Sequence, residues 1–266
     1  METQILQAGM LKSVIGNTVL RFDEIDSTST YAKRLALEGA ADGTVVIAEF
    51  QTAGRGRMGR SFQSPKGKGI YLSVLLRPDV PTDRMASVTA LAGIAVCDAI
   101  EVVCGVRPGL KWPNDPVLGH KKVCGILTEA VTDPDGNTAL ILGIGINVLQ
   151  VEADFPPELQ SIATSIFAET GCPVSREELT KTLLRRLEQA YRVLKTGEWP
   201  DWTETYRKDC VHLGRQIRLI GLAGEEMAVA LDVDEAFGLI VAGEDGTVRT
   251  VRTGEISVRG LFGYAE

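Results

Sequence analysis

A loop in which glycine and arginine alternate is the part of this sequence best suited to bind an anion. The loop contains Gly54, Arg55, Gly56, Arg57, Gly59 and Arg60. No acidic side chain occurs between Glu49 and Asp79, although the whole chain has a net charge of −7. Guanidinium groups pair with phosphate or carboxylate through two hydrogen bonds, and glycines let backbone N–H groups approach an anion. The loop therefore predicts a phosphate or carboxylate clamp, with a solvated surface loop as the alternative.

Two common phosphate-binding patterns match this loop, but its context excludes both. Residues 54–59 fit G-x-G-x-x-G, and residues 54–61 differ from a P-loop by Arg60 in place of lysine. Both motifs need a helix after the loop, because the N-terminal N–H groups of that helix hold the phosphates. Here Pro65 and two nearby glycines disfavour a helix. We therefore expect the loop to bind its anion without a helix N-terminus, and we predict that residues 52–68 act as a lid.

Three further blocks carry polar residues, and each has a structural alternative. Residues 111–116 form a turn between prolines, which is equally typical of an Asx-type turn with Trp112 as a core residue. Residues 121–127 place two lysines before a buried strand, where one can point inward although two surface lysines are commoner. Residues 143–148 form a strand with glycines at alternate positions, which indicates close approach of a ligand or another backbone, with a β-bulge as the alternative.

Helices and strands alternate over most of the chain and place these blocks at element ends. Strands are predicted over residues 44–48, 70–76, 123–130, 139–144 and 146–149. Helices are predicted over residues 31–37, 83–103 and 176–196, the last between a capping box at Ser175 and a terminating Gly197. Beyond Gly214 only short strands follow, with turns at 223–224 and 244–246. We expect an α+β fold: a mixed, largely antiparallel sheet flanked by helices in residues 1–210, and a small β-barrel in residues 211–266.

The composition indicates an ordinary globular protein of 266 residues, with 44% hydrophobic and 24% charged residues. Its 5 cysteines form no C-x-x-C pair, which favours reduced thiols and a cytoplasmic location. Only 2 histidines are present, which argues against a histidine metal site or a Ser-His-Asp triad. We predict no signal peptide, and we expect the apolar stretch 86–104 to be a buried helix because Asp98 and Glu101 interrupt it. The acidic net charge also disfavours nucleic-acid binding over the whole surface.

The order of the polar blocks resembles that of a biotin protein ligase. The chain has Asp-Ser-Thr at 26–28, Gln-Thr-Ala-Gly-Arg-Gly-Arg at 51–57, Lys-Trp-Pro-Asn-Asp at 111–115, Lys-Val-Cys-Gly-Ile-Leu at 122–127 and Gly-Ile-Gly-Ile-Asn at 143–147. The resemblance covers about residues 14–262 and implies the family's catalytic fold, similar to class II synthetases, with an SH3-like C-terminal barrel. Larger members add an N-terminal DNA-binding domain. Only about 13 residues precede the pattern here, so we expect no DNA-binding role.

The resemblance implies a two-step reaction. The biotin carboxylate attacks the α-phosphorus of ATP to give biotinyl-5′-AMP and pyrophosphate. A lysine of a biotin carboxyl carrier protein, such as that of acetyl-CoA carboxylase, then attacks the anhydride and AMP leaves. The implied cofactors are ATP and Mg²⁺, and the implied partners are biotin, ATP and the carrier protein. We expect no DNA or membrane partner. A homodimer through a sheet edge is a further expectation. A lipoate or octanoate ligase of related fold is the nearest alternative, and a non-enzymatic adaptor is a more distant one.

The same resemblance implies roles for individual residues. The biotin site would be formed by Ser27, Thr28, Ser29, Gln51, Gly54, Arg55, Gly56, Arg57, Lys122 and Gly125. Charge at the α-phosphorus would be neutralised by the catalytic residues Arg57, Lys111 and Lys122. The nucleotide would be bound by Arg57, Arg60, Phe62, Lys111, Asn114, Lys122 and Asn147. Asp115 is the candidate Mg²⁺ ligand and the candidate base for the acceptor lysine. Phe62 stands where the family often has tryptophan, and its ring is smaller, so we expect weaker binding of the adenylate.

Overall fold

The structure is a computed structural model that describes residues 2–4, 13–56, 59–197, 200–221, 224–252, 257–260 and 264–265. For residues 2–4 and 200 it describes the backbone alone. Arg57 and the predicted turn residue Ala223 lie outside the described residues. The described part contains two larger sheets, a small three-stranded sheet and flanking helices, which confirms the expected α+β fold.

A six-stranded mixed sheet forms the centre of the molecule. Its strands are β1 (Glu2–Gln4), β2 (Val19–Phe22), β3 (Val45–Ala48), β4 (Gly69–Leu76), β8 (Cys124–Thr132) and β9 (Thr138–Asn147). They lie in the order β1-β2-β3-β4-β9-β8, and every neighbouring pair is antiparallel except β2 with β3. β3 and β4 are buried along their whole length, which explains their unbroken apolar sequences.

Helices cover both faces of this sheet. They are α1 (Thr28–Leu37), α2 (Thr82–Met85), α3 (Val88–Cys104), α4 (Ile166–Thr170), α5 (Arg176–Thr196) and α6 (Pro200–Asp209). On one face, α1 packs against Val46, Leu75 and Ile141. On the other face, α3 and α5 share the main hydrophobic core with alternate residues of the same strands. The cavity described below lies on the α1 face.

The ends of α1 and α5 follow the sequence signals. The Ser27 side chain accepts a hydrogen bond from the Thr30 backbone N–H at 3.4 Å, and Ser175 accepts one from Glu178 at 3.2 Å. Gly197 terminates α5 with a φ of +74°, a conformation that a residue with a β-carbon rarely adopts. Helix α5 matches its predicted range of residues 176–196. Helix α1 ends at the predicted Leu37 but begins at Thr28, three residues before its predicted start.

The apolar segment Thr82–Cys104 is long and apolar enough to span a membrane by composition alone. In the structure 67% of the most apolar part of this segment is buried, because α3 packs between the sheet and α5. The prediction of a buried helix is therefore confirmed for residues 88–104. The predicted single helix 83–103 is interrupted, since α2 ends at Met85 and α3 begins at Val88.

Two smaller sheets complete the fold. The first joins β5 (Gly109–Lys111), β6 (Asp115–Leu118) and β7 (Lys121–Lys122). The second is antiparallel, in the order β13-β12-β11-β10-β14, with the strands β10 (Gln216–Gly221), β11 (Gly224–Val233), β12 (Leu239–Gly243), β13 (Val248–Val251) and β14 (Ser257–Gly260). The predicted turn at 244–246 connects β12 to β13. This sheet is the β-unit expected after Gly214.

The strand predictions were wrong at one point, and the sequence signals missed other elements. Residues 139–144 and 146–149 were predicted as separate strands, but β9 runs without a break from Thr138 to Asn147. Gly145 does not interrupt it because β9 is paired on both sides, with β4 and with β8. The short strands β5 to β7 and helix α6 had no clear periodicity. The structure builds them from contacts between distant residues, such as Leu110 with Cys210 and Val211.

Candidate active site

An open cavity of about 200 Å³ lies on the α1 face of the central sheet and collects most of the predicted site residues. Those that line it are Thr28, Ser29, Gln51, Arg55, Gly56, Arg60, Phe62, Lys111, Asp115, Lys122, Gly125 and Asn147. They come from the start of α1, the loop after β3, the small sheet and the ends of β8 and β9. Segments far apart in the chain therefore converge on one site, as the order of the motifs predicted.

A directed chain of hydrogen bonds forms one end of the cavity. The Ser73 hydroxyl donates to Thr28 Oγ1 at 2.9 Å, and Thr28 donates through its backbone N–H and its hydroxyl to Gln51 Oε1 at 2.9 and 3.1 Å. Gln51 Nε2 donates to Ser64 Oγ at 2.9 Å. Thr28 Oγ1 thus uses its proton and one lone pair, which leaves one lone pair to accept from a ligand N–H.

Ser27 and Ser73 have supporting positions at this end. Ser27 caps α1 and is almost fully buried, so it fixes the helix start that presents Thr28. Ser73 was missed by the sequence reasoning, although a serine in the otherwise apolar strand 70–76 was an available signal. It is fully buried and bonds both Thr28 and Ser29, the latter at 3.0 Å.

Glycines of β8 and β9 form the floor of the cavity, and Phe62 lies on it. A β-carbon on Gly145 would come within 2.5 Å of the Phe62 ring, and one on Gly125 within 3.0 Å. Gly143 faces Ser29 in the same way, at 2.7 Å. The glycines at alternate positions of β9 leave room for the side chains of Ser29 and Phe62, and close approach of a ligand stays a prediction. The competing β-bulge is absent from the register of β9 with β4 and β8.

The glycine-arginine loop reaches back to the sheet through Arg55. Arg55 lies 3.3 Å from Glu129 Oε1 on β8, and the same oxygen accepts from Lys33 of α1 at 2.6 Å. Gly54 is required because a β-carbon there would collide with the Phe62 carbonyl oxygen. Arg60 is exposed and lines the cavity. The loop thus presents its described cations to the cavity, as the clamp hypothesis requires.

Charged side chains meet at the opposite end, around Asp115. Lys122 Nζ bonds Asp115 Oδ1 at 2.6 Å, and the Tyr264 hydroxyl donates to Asp115 Oδ2. The Lys111 ammonium lies 4.5 Å from the centre of the Tyr264 ring. Burial alone would raise the pKa of the Asp115 carboxyl, but Lys122, Lys111 and these hydrogen bonds hold it below its usual value. The cluster is net positive and suits a phosphate anion.

Two asparagines were predicted to face the nucleotide, and the structure separates them. Asn147 lines the cavity and donates through Nδ2 to the Thr164 carbonyl at 2.9 Å. Asn114 is buried and donates to the Ile126 carbonyl, outside the residues that line the cavity. Its contact ties the turn before β6 to β8, because a buried amide needs a partner. This contact gives Asn114 a role in the fold, and its predicted contact with the nucleotide stays a prediction.

The C-terminal sheet contributes to the site, which the sequence motifs only partly indicated. Ser257, Val258, Arg259 and Tyr264 line the cavity. Trp112 is fully buried, as the structural alternative proposed, and its Nε1 donates to the Phe237 carbonyl at 2.9 Å. Arg259 lies on β14 of the expected barrel, whereas no sequence signal identified Tyr264.

Within the ranges that the structure describes, no group of three or more His, Cys, Asp or Glu side chains could hold a metal ion. Cys124, on the strand beside the cavity, is fully buried, and burial raises its pKa well above the ordinary thiol value. It is therefore not a nucleophile at neutral pH. The cavity thus has a polar part around Thr28 and Gln51, a floor of strand backbone, and a cationic part around Lys111 and Lys122. It can bind an acid beside a phosphate and stabilise charge between them.

Comparisons with known proteins agree with this arrangement. Residues 21–147 match the model of the biotin/lipoate A/B protein ligase family. The bifunctional ligase/repressor BirA of Bacillus subtilis (strain 168) is 36% identical over 241 residues, which cover 91% of this chain and 74% of that protein. The biotin--[acetyl-CoA-carboxylase] ligase of Mycobacterium tuberculosis is 34% identical, over 86% of this chain and 85% of its own.

A solved structure extends the likeness to the fold. Biotin protein ligase from Aquifex aeolicus, in complex with biotin and ATP, superposes with a TM-score of 0.80 at 31% identity and covers 91% of this chain and 98% of its own. The names of these relatives favour biotin over the lipoate or octanoate alternative. The chain belongs to the biotin protein ligase family.

Proposed function

We propose that this protein activates biotin with ATP and transfers it to a lysine of a biotin carboxyl carrier domain. One observation supports this most directly: a hydroxyl that can accept from an N–H and a cluster of cations line the same cavity. In the first step a bond forms between a biotin carboxylate oxygen and the α-phosphorus, and pyrophosphate leaves. In the second step the acceptor amine attacks the carbonyl carbon, and AMP leaves as the new amide forms.

The polar end suits the ureido ring of biotin. Thr28 Oγ1 has a lone pair available for a ring N–H, and Gln51 and Ser29 complete the polar lining. Gly125, Gly143 and Gly145 put no side chain of their own into the cavity, where Phe62 and Ser29 already lie against them. Arg55, Gly56 and Arg57 of the loop would clamp the carboxylate and the α-phosphate, although Arg57 lies outside the described residues.

The cationic end suits the phosphates. Lys111 and Lys122 would neutralise the charge that grows on the α-phosphate as the phosphorus is attacked. Arg60, Phe62 and Asn147 would bind the nucleotide, with Phe62 offering an aromatic face to the base. Residues 52–68 would then close over the anhydride and exclude water, because hydrolysis would waste the intermediate.

Mg²⁺ would enter with ATP as part of the substrate complex. Asp115 does not fit as its ligand in this arrangement, because Lys122 and Tyr264 engage both carboxylate oxygens. The lowered pKa of Asp115 also makes it a poor base for an acceptor lysine, whose own pKa is near ~10.4. We assign no step to the metal, and the acceptor proton would leave to solvent or to a phosphate oxygen.

A carrier protein as second substrate and two domains in this chain complete the proposed function. The second substrate would be the carrier protein of acetyl-CoA carboxylase or a related carboxylase, in the cytoplasm. No DNA or membrane is part of the proposal, and a homodimer through a sheet edge stays a prediction. We also propose the domain boundary at 210–211, with residues 1–210 as the catalytic domain and residues 211–266 as the barrel.

The test is pyrophosphate release from Mg·ATP with biotin, lipoate or octanoate, without carrier. We expect release with biotin alone. Lys122→Met should reduce it at least about a hundredfold, because a charge that stabilises the transition state is lost. Lys121→Met is the matched control, since Lys121 bonds the Gln160 carbonyl and lies outside the cavity lining. Release that requires lipoate or octanoate, or release from no acid at all, would contradict the proposed function.

A further inference from the structure

Tyr264 connects the C-terminal segment to the charged end of the cavity. Its hydroxyl donates to Asp115 Oδ2, while Lys122 occupies Oδ1 of the same carboxylate at 2.6 Å. Asp115 is 8% exposed and Tyr264 is 9% exposed, so water has little access to this contact. The phenol ring packs in a small apolar cluster with Val117 and Ala265. The carboxylate is thus held on both oxygens.

The ring of Tyr264 is also close to two cations. The Lys111 ammonium is 4.5 Å from the ring centre, and the Arg259 guanidinium carbon is 5.1 Å from it. Cations are attracted to the face of an aromatic ring at such distances. Tyr264 therefore contacts Lys111 directly, and it shares the Asp115 carboxylate with Lys122.

We propose that Tyr264 is a positioning residue for adenylate formation, which rests on the proposed function. A lysine side chain has several rotatable bonds, so its ammonium stays in one place only if its partner does. The Tyr264 hydroxyl fixes the rotamer of Asp115, and Asp115 in turn fixes Lys122 where the α-phosphate would bind. Without the hydroxyl, Asp115 and Lys122 become mobile, and small misplacements of a reacting or stabilising group slow a reaction strongly.

The test compares two tyrosine variants that each lose one hydrogen bond to an aspartate. Tyr264→Phe removes the contact with Asp115 and keeps the ring. Tyr191→Phe removes the contact of Tyr191 with Asp42, at 2.8 and 2.9 Å, and neither residue lines the cavity. We expect Tyr264→Phe to lower the kcat of biotin-dependent pyrophosphate release by about tenfold or more. The KM for biotin should change by no more than about twofold, because the hydrogen bond and ring contacts of Tyr264 are with Asp115, Lys111 and Arg259 and not with Thr28 or Gln51. Tyr191→Phe should leave both constants unchanged.

A double-mutant cycle tests whether Tyr264 acts through Asp115. If it does, Tyr264→Phe combined with Asp115→Ala should have the same kcat as Asp115→Ala alone, because alanine leaves no acceptor for the Tyr264 hydroxyl. Losses that simply multiply would overturn the proposal, as would a wild-type kcat in Tyr264→Phe. These outcomes all presuppose that the wild-type protein releases pyrophosphate with biotin. Failure of the wild type itself would contradict the proposed function, so the two failures are distinguishable.

Discussion

The ring of Phe62 lies against the backbone of Gly145, where a β-carbon would come within 2.5 Å of the ring. Phe62 belongs to the loop after β3, and Gly145 belongs to a central strand of the sheet. The same ring meets Tyr71 edge-on, with 6.3 Å between the ring centres. The loop that carries the arginines is therefore seated on the sheet at a position where only glycine fits.

Gly145→Ala should displace the Phe62 ring and narrow the cavity. We expect biotin affinity to fall by about tenfold or more, since overpacking by one methyl group costs roughly 1–3 kcal/mol. Isothermal titration with biotin measures the loss. Phe62→Ala removes the ring that the new methyl group would meet. In the Phe62→Ala background, Gly145→Ala should therefore have a smaller effect on affinity. If Gly145→Ala lowered biotin affinity equally in both backgrounds, a collision with the Phe62 ring would not be the cause.

Ser73→Ala should weaken biotin binding although Ser73 lies beneath the cavity. It removes the donor to Thr28 Oγ1, so the orientation of the Thr28 hydroxyl is no longer fixed. A lost hydrogen bond of this kind is worth roughly 1 kcal/mol, which corresponds to several-fold in Kd. Thr89→Val is the matched control, because it breaks another hydroxyl pair, Thr89 with Thr128 at 2.8 Å, away from the cavity lining. Similar Kd values for Ser73→Ala and wild type would rule out this role.

Trp112→Phe should destabilise the protein through the contact between the small sheet and the C-terminal sheet. The substitution removes the hydrogen bond from Trp112 to the Phe237 carbonyl and leaves space in the core. The expected loss is roughly 2–4 kcal/mol in the free energy of unfolding, measured by urea denaturation. Trp202→Phe, at a half-buried position on α6, provides the comparison and should cost less. An equal loss in both variants would show that the hydrogen bond adds nothing.

His212 predicts a loss of stability in mild acid. It is fully buried, and neither ring nitrogen has a hydrogen-bond partner among the described residues. Burial, followed by the charges of Lys111 and Arg215, lowers the pKa of His212 from 6.5 to about 3. Below pH 6.5 the unfolded chain binds a proton that the folded chain cannot, so stability falls as the pH drops from 6.5 toward 3.

The expected loss between about pH 8 and about pH 5 is roughly 2 kcal/mol in the free energy of unfolding. Urea denaturation at both pH values measures it. His212→Phe should remove most of this pH dependence. His120→Asn should keep it, because His120 lies on an exposed turn after β6. A wild-type dependence in His212→Phe would show that other groups cause the loss.

The sequence predicted what local chemistry determines. Ser175 and Gly197 marked the ends of α5, and the polar blocks identified most of the cavity lining. It could not predict contacts that depend on distant partners. Tyr264 has no recognisable motif and reaches Asp115 only because the C-terminal segment folds back onto the small sheet. Asn114 belongs to a strong motif, but its partner is the Ile126 carbonyl on β8, which no spacing rule indicates.

The glycine floor sets a direction for change in substrate range. Glycine is already the smallest residue, so every substitution at Gly125, Gly143 or Gly145 can only take space from the cavity. Variants that accept bulkier acids must therefore arise in the walls or in the loop above the floor. Selection for such variants should return changes near Thr28, Gln51 or residues 52–68 and leave these three glycines untouched.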